Sequence, residues 1–145
     1  DEALGVLATV DPDSYERRRR FADRIHAAID LRRGEPRVAA ERLTVLADEI
    51  TQDGRRLAAG MHVASLLAVA AHELGQHQTA AVLFGHAAAE RARLDIELRP
   101  SDRPLVSAAV EACRAVLGAE RFEQLAARGA NTDWRGLPGI ALDTP

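Results

Sequence analysis

The sequence contains no lysine, one cysteine, one tryptophan and one tyrosine, and only 3% of its 145 residues are aromatic. A single cysteine excludes an internal disulfide, which favours a reducing, intracellular setting. A standard phosphate-binding loop ends in Lys followed by Ser or Thr, so the absence of lysine excludes it. No run of residues approaches the ~20 apolar residues of a membrane-spanning helix. We therefore predict a cytoplasmic chain that does not contact a membrane.

Alanine supplies much of the apolar content of 47%, and alanine is the best helix former. Residues that favour strands, which are the β-branched and aromatic ones, are sparse and do not alternate over any long run. The formal net charge of −3 provides no global field that would attract nucleic acid. The composition therefore predicts an all-α protein without direct nucleic-acid binding by this segment.

Turn residues divide the chain into six predicted helices. Asp11-Pro12 predicts the first helix start, because aspartate caps a helix and proline fits its first turn. Glycines predict the helix ends. The predicted helices span residues 12–31, 36–50, 55–74, 77–94, 104–117 and 119–128, with Gly129 as the end of the last. We expect a fragment of a longer protein, with residues 1–11 as lead-in from a preceding segment, 12–130 as the helical domain and 131–145 as a capping tail.

The spacing of apolar residues assigns the predicted core. The third predicted helix is apolar nearly all round, which indicates a central helix buried on several sides. Stripes at helical spacing assign the inward faces of the other helices. The predicted core includes Phe21, Ile25, Ala28 and Ile29, then Ala39, Leu43, Leu46 and Ile50, then Leu83, Phe84 and Ala88, then Cys113 and Val116, and last Phe122 and Leu125.

An internal repeat links the first four predicted helices. Gly34-Glu35-Pro36 recurs as Gly75-Gln76-His77 after 41 residues, and Ala39-Ala40 recurs as Ala80-Ala81 at the same interval. A helix–turn–helix unit buries its apolar face by stacking on the next unit. The repeat predicts antiparallel helical hairpins stacked as a tetratricopeptide-like right-handed superhelix of about six helices.

Two stretches carry a family resemblance: AVLFGHAAAER at residues 81–91 and ACRAVLGAERFEQLAARG at residues 112–129. They resemble the C-terminal tetratricopeptide-like helical region of large actinobacterial LuxR/MalT-type signal-transduction ATPase transcriptional regulators. The resemblance implies a non-catalytic sensor or interaction domain that biases the activity of its parent. Its partner would be another protein, another domain of the same chain or a small inducer. The alternative is a freestanding adaptor or homo-oligomeric scaffold, with a homodimer formed through the N-terminal edge.

No catalytic constellation stands out. Ser65 and Ser107 lie inside predicted helices without the sharp turn that exposes a nucleophilic serine. Cys113 lies in an apolar stripe, which predicts a buried and inert thiol. The run 17–20 of four arginines points in four directions around a helix and predicts a solvated surface. We predict that the chain is not an enzyme and holds no cofactor.

The histidine spacings do not predict a metal site. His72 and His77 are five residues apart with Gly75 between them, unlike the i, i+4 pair of a helical zinc site. His86 and Glu90 have the i, i+4 spacing, but two ligands are too few.

Repeat geometry predicts a partner-binding groove on the face formed by the first helix of each hairpin. The predicted polar contacts there are Arg24, His62, Ser65 and His72. Trp134 is predicted to cap the stack by covering the last hairpin. The alternative for Trp134 is a contact with the next domain or a partner, because tryptophan is a favoured interface anchor.

Overall fold

The computed structural model describes residues 12–53 and 58–142. These ranges contain six α-helices and one short 3-10 turn, and no strand. The prediction of an all-α fold with about six helices is confirmed, while the handedness of the superhelix stays a prediction. The helices are α1 (Pro12–Arg32), α2 (Pro36–Asp53), α3 (Ala58–Glu73), α4 (His77–Leu94), α5 (Arg103–Leu117) and α6 (Ala119–Ala130), followed by the 3-10 turn Trp134–Gly136.

The first two hairpin turns have the same backbone geometry. Gly34 has φ of 74° and Gly75 has φ of 81°, a left-handed conformation that glycine adopts without strain. In each turn the residue after the glycine donates its N–H to the carbonyl five residues earlier, at 2.9 Å and 2.8 Å. This hydrogen bond pairs a carbonyl at the helix end that has no partner within the helix. The sequence repeat is therefore a repeat of turn structure.

Helix α3 is the centre of the stack. Every described side chain from 60 to 71 is buried, and the helix packs on α2 and α4 and also contacts α1 and α5. The prediction of a central helix is confirmed; the predicted start of this helix, including Leu57, lies outside the described residues. Because α3 is enclosed by neighbours, its polar residues His62 and Ser65 lie inside the protein.

Helix α6 makes its most extensive contact with α4. A Cβ on Gly129 would overlap the carbonyl of Val82, and a Cβ on Gly85 would overlap the backbone of Ala126. The prediction that Gly129 ends the last helix is wrong, because α6 continues through it to Ala130. Gly129 allows two helix backbones to approach each other and does not form a turn.

The predicted core is correct for most helices, but three of its positions are exposed, and Ile25 and Ile29 are only half-buried. Phe21 is 47% exposed and Val116 is 59% exposed, and Ala88 is also exposed. In α1 the buried residues are confined to the last turns, beginning at Ala27, so a stripe extended back to Phe21 goes beyond the packed region. The buried core positions include all four predicted in α2, which are Ala39, Leu43, Leu46 and Ile50, and also Leu83, Phe84, Cys113, Phe122 and Leu125.

The chain after α6 folds back over the stack. Trp134 is 8% exposed, and its Nε1 donates to Thr51 Oγ1 in α2 at 2.7 Å. Gln76 exchanges two hydrogen bonds with the main chain of Ala141, at 2.7 Å and 2.9 Å. Trp134 therefore packs on α2, next to Gly60 of α3 and His86 of α4, and not over the last hairpin. This corrects its expected position, and the physical reason is the acceptor that Thr51 provides for the indole N–H.

Among the described helices, none has the length and the apolar content that crossing a membrane requires.

Candidate functional site

Three arginines surround His62 on one side of the stack. Arg24 belongs to α1, Arg91 to α4 and Arg99 to the connection before α5, and each side chain is partly buried. All three positive charges act on His62 strongly enough to lower its pKa. We call Arg24, His62, Arg91 and Arg99 the arginine cluster.

Burial is the largest effect on the ionisation of this cluster. It lowers the pKa of His62 to about 4, and the charge of Arg24 adds to the decrease. Burial also lowers the pKa of Arg24, and the charge of Arg99 adds to that decrease. Burial lowers the pKa of Arg91 as well. The cationic forms of these three side chains are disfavoured because burial removes their hydration and too few carboxylates lie nearby to replace it.

Two polar atoms of the cluster have no partner. Arg24 Nε and His62 Nδ1 are buried and make no hydrogen bond to any described residue. A buried polar atom left unpaired costs about 1–3 kcal/mol, and native proteins pair nearly all such atoms. The cluster therefore contains buried nitrogen atoms whose hydrogen-bonding capacity no described residue uses.

Asp102 is the buried carboxylate beside the cluster. It is 4% exposed, and its Oδ1 lies 3.1 Å from an Arg32 terminal nitrogen. The same Arg32 nitrogen also donates to the carbonyl of Ser101. Asp102 raises the pKa of Arg24, but its charge is shared with Arg32. One shared carboxylate leaves the three cluster arginines with an excess of positive charge.

Phe21 forms an aromatic platform for two of the arginines. The guanidinium carbons of Arg24 and Arg99 lie 5.2 Å and 5.1 Å from its ring centroid. Such cation–π contacts hold a guanidinium group in place while its N–H groups stay available. The exposure of Phe21 thus has a structural explanation, since the ring supports two cations at the surface.

Ser65 lies beneath the cluster. It is 1% exposed, and its hydroxyl donates to the carbonyl of Met61 at 3.0 Å. An Arg91 terminal nitrogen lies 3.4 Å from the same hydroxyl oxygen. Of the predicted groove residues, the structure brings Arg24, His62 and Ser65 together, with Ser65 in the supporting layer.

His72 lies elsewhere, at the opposite end of α3. Its Nδ1 is 3.0 Å from the Nδ1 of His77, because the Gly75 turn folds α4 back beside α3. Cys113 of α5 lies next to them, with its Sγ 3.3 Å from the carbonyl oxygen of His77. These three side chains form a second polar group, separate from the arginine cluster.

Trp134 forms a wall of a cleft of about 530 Å³ between the tail and helices α2 to α4. The walls are mainly apolar, and Asp48 and Arg135 supply charged groups. Both charged residues are exposed, so polar groups are available where the cleft meets solvent. The cleft was not predicted because it depends on the tail returning to α2.

Arg91, Arg99 and Phe21 were not recognised as site residues from the sequence. Arg91 does have a signal, because it continues the buried face of α4 four residues after Ala87. A charged residue at an apolar stripe position indicates a paired or functional group. Arg99 precedes Pro100 in a connection, and its position depends on how that connection folds.

Comparison of the chain with protein-family models, with curated proteins and with solved structures found no match. The resemblance to LuxR/MalT-type regulators stays a prediction based on its two stretches of sequence.

Proposed function

We propose that this chain is a non-catalytic helical-repeat interaction domain whose arginine cluster binds an acidic segment of a protein partner. The observation that carries the proposal is the pair of buried unpaired atoms, Arg24 Nε and His62 Nδ1, in a cluster rich in cations. Carboxylates supply the negative charge and the acceptor oxygens that this arrangement lacks. The cluster is held in place by the ring of Phe21 and by Ser65 of the central helix α3.

A carboxylate-bearing segment fits the cluster better than a nucleic acid does. The chain as a whole has a net charge of −3, which opposes a long polyanion. The positive charge of the site is confined to the cluster. The neighbouring ring of Phe21 already contacts the guanidinium groups of Arg24 and Arg99. Guanidinium groups form two parallel hydrogen bonds with a carboxylate, which gives orientation as well as affinity.

The role of such binding follows from the family resemblance. We propose that the domain belongs to a multidomain cytoplasmic transcriptional or signalling regulator, and that binding biases the parent between two states. The alternative is a freestanding adaptor or homo-oligomeric scaffold. Sequencing the open reading frame distinguishes them. An adjoining ATPase or helix-turn-helix module supports the regulator, whereas a frame with neither supports the adaptor.

Binding of a labelled oligoglutamate peptide, followed by fluorescence anisotropy, tests the site. We expect saturable binding that weakens at least tenfold in Arg99→Gln and in Arg24→Gln. The control Arg128→Gln changes an arginine exposed on α6 and keeps full affinity. An oligoglutamine peptide of equal length is not expected to bind.

Equal weakening by Arg128→Gln and Arg99→Gln would show that only net charge attracts the peptide, and would overturn the assigned site. Tighter binding of duplex DNA than of oligoglutamate would overturn the choice of an acidic segment. Arg99 lies outside the helices, so its variant remains informative if Arg24→Gln does not fold.

The cleft beside Trp134 supports a second candidate function, binding of a small inducer. Its volume of about 530 Å³ falls in the range of small-molecule sites. An apolar anionic dye, such as anilinonaphthalene sulfonate, is expected to quench Trp134 saturably at one site. Ala47→Leu, which fills the cleft, should abolish quenching, whereas Ala22→Leu on the exposed face of α1 should not. Persistence of quenching in Ala47→Leu would contradict this candidate.

A further inference from the structure

The turn between α3 and α4 places two histidines against each other. His72 lies in the last turn of α3, and His77 is the first residue of α4. Their Nδ1 atoms are 3.0 Å apart, and their ring centroids are 4.9 Å apart with an interplanar angle of 57°. The contact is thus made by ring nitrogens and not by stacked ring faces.

Cys113 of α5 adds a sulfur atom to this pair. Its thiol donates to the carbonyl of His77 at 3.3 Å. The sulfur and one nitrogen from each histidine all lie within 4.8 Å of one another. Cys113 is fully buried, whereas both histidines are partly exposed. The group therefore has a closed side at the sulfur and an accessible side at the imidazoles.

We propose that His72, His77 and Cys113 form a binding site for a divalent zinc-class metal ion, with its fourth coordination position open. The three donor atoms come from the end of α3, the start of α4 and the middle of α5. A bound ion would join the hairpin turn to α5. This proposal is independent of the arginine cluster, which lies at the other end of α3.

The donor set and its spacing suit such an ion. Two imidazole nitrogens and one thiolate form a mixed set that zinc accepts, and three protein ligands leave a position for water or a partner group. In a tetrahedral zinc site the nitrogens lie about 3.3 Å apart and nitrogen and sulfur about 3.6 Å apart. The histidine pair needs to open by only a few tenths of an ångström, and the sulfur, which lies within 4.8 Å of a nitrogen of each histidine, needs to move closer.

Coordination changes the protonation of the site. Burial raises the pKa of the Cys113 thiol, so the thiol retains its proton at neutral pH without an ion. When the ion binds, the S–H bond breaks, the sulfur forms a bond to the ion with its electron pair, and the proton passes to solvent. The two imidazoles coordinate as neutral ligands. No oxidant or reductant takes part.

Titration of the chelator-treated full chain with Co²⁺ tests the site, because Co²⁺ reports its ligands in the absorption spectrum. We expect one equivalent to give a thiolate-to-cobalt charge-transfer band in the near ultraviolet, and Zn²⁺ to remove it. Cys113→Ser should abolish the band. His72→Gln and His77→Gln should each weaken binding at least tenfold, while His26→Gln, at an exposed histidine of α1, should not.

A wild-type titration without a thiolate band would overturn the proposal. So would equal Co²⁺ affinities in His72→Gln, His77→Gln and His26→Gln. Circular dichroism establishes whether Cys113→Ser folds, since its side chain is buried. If that variant does not fold, the two partly exposed histidine variants still test the proposal.

Discussion

Gly129 in α6 lies directly against the main chain of α4, where its missing side chain leaves room for the carbonyl of Val82. Gly85 in α4 approaches Ala126 of α6 in the same way. The distance between these two helices is therefore set by glycine on both sides. Because the tail begins where α6 ends, this crossing also determines where Trp134 meets α2.

Gly129→Ala is expected to destabilise the protein. The added methyl group would overlap backbone atoms of α4, and backbone cannot move aside as a flexible side chain can. Overpacking of this kind costs about 1–3 kcal/mol or more. Urea denaturation followed by circular dichroism measures the loss. Gly85→Ala should behave in the same way.

Gly139→Ala is the matched control for these two variants. A Cβ at Gly139 would have no heavy atom within 4 Å, so little change in stability is expected. If Gly129→Ala unfolds at the same urea concentration as Gly139→Ala, the close crossing of α4 and α6 does not exist in solution.

The helices could be predicted from the sequence because their signals are local. Glycine marks where α1, α3 and α5 end, and apolar spacing marks the inner face of α2. Gly129 was misjudged because a glycine in a turn and a glycine at a helix crossing look alike in sequence. The difference depends on α4, which is distant along the chain.

The candidate sites were predicted only in part. Arg24 and His62 could be proposed from repeat geometry, which places the first helices of the hairpins side by side. The spacing of His72 and His77 does not predict metal ligands, because the i, i+4 rule describes a pair within one helix and this pair spans a turn. Recognition of Cys113 as their neighbour requires the packing of α5 on α3 and α4, which no local pattern specifies.

The hydrogen bond between Trp134 and Thr51 gives a second prediction. Trp134 is the only tryptophan and is 8% exposed, so its emission maximum should lie to the blue of a solvent-exposed tryptophan. Thr51→Val removes the acceptor of the indole N–H and should lower stability by about 0.5–1.5 kcal/mol. Thermal denaturation followed by tryptophan emission measures both effects.

Thr44→Val is the control for Thr51→Val. Both threonines donate to the carbonyl four residues earlier, but Thr51 also accepts the bond from Trp134. An emission maximum at the solvent value, or equal stability losses in the two variants, would show that the tail does not dock on α2.

The buried His62 predicts a loss of stability in mild acid. Its pKa is about 4 in the folded protein, lowered first by burial and then by Arg24, against an ordinary value of 6.5. Between these values the unfolded chain binds more protons, so the stabilisation present above pH 6.5 is lost as pH falls toward 4. Asp102 opposes the decrease in pKa, while Arg99 and Arg91 add to it.

His62 should account for about 2 kcal/mol of stability lost between pH 7 and pH 5. His62→Gln removes this part of the pH dependence, whereas His26→Gln at an exposed position leaves it in place. Urea denaturation at the two pH values measures the difference. An unchanged pH dependence in His62→Gln would mean that His62 titrates normally and is not held in a cationic, desolvated cluster.

Asp102→Asn tests the charge balance of the arginine cluster. Asp102 is buried and pairs with Arg32, and its negative charge also acts on Arg24 and His62. Removing that charge leaves the surrounding cations less compensated, and because Arg32 is partly exposed we expect a loss of about 1–3 kcal/mol. The same change should increase the affinity for oligoglutamate, since the peptide no longer competes with an internal carboxylate.

Asp95→Asn controls for the loss of one negative charge. Asp95 is exposed and has φ of 53°, a conformation that asparagine also tolerates. The stability and the peptide affinity of the Asp95→Asn variant should therefore stay near those of the unmodified protein. Denaturation and fluorescence anisotropy measure the two quantities. If Asp102→Asn lowers stability without strengthening peptide binding relative to Asp95→Asn, Asp102 only supports the fold. The excess positive charge would then not be available to a partner, and the acidic-segment proposal would lose its electrostatic basis.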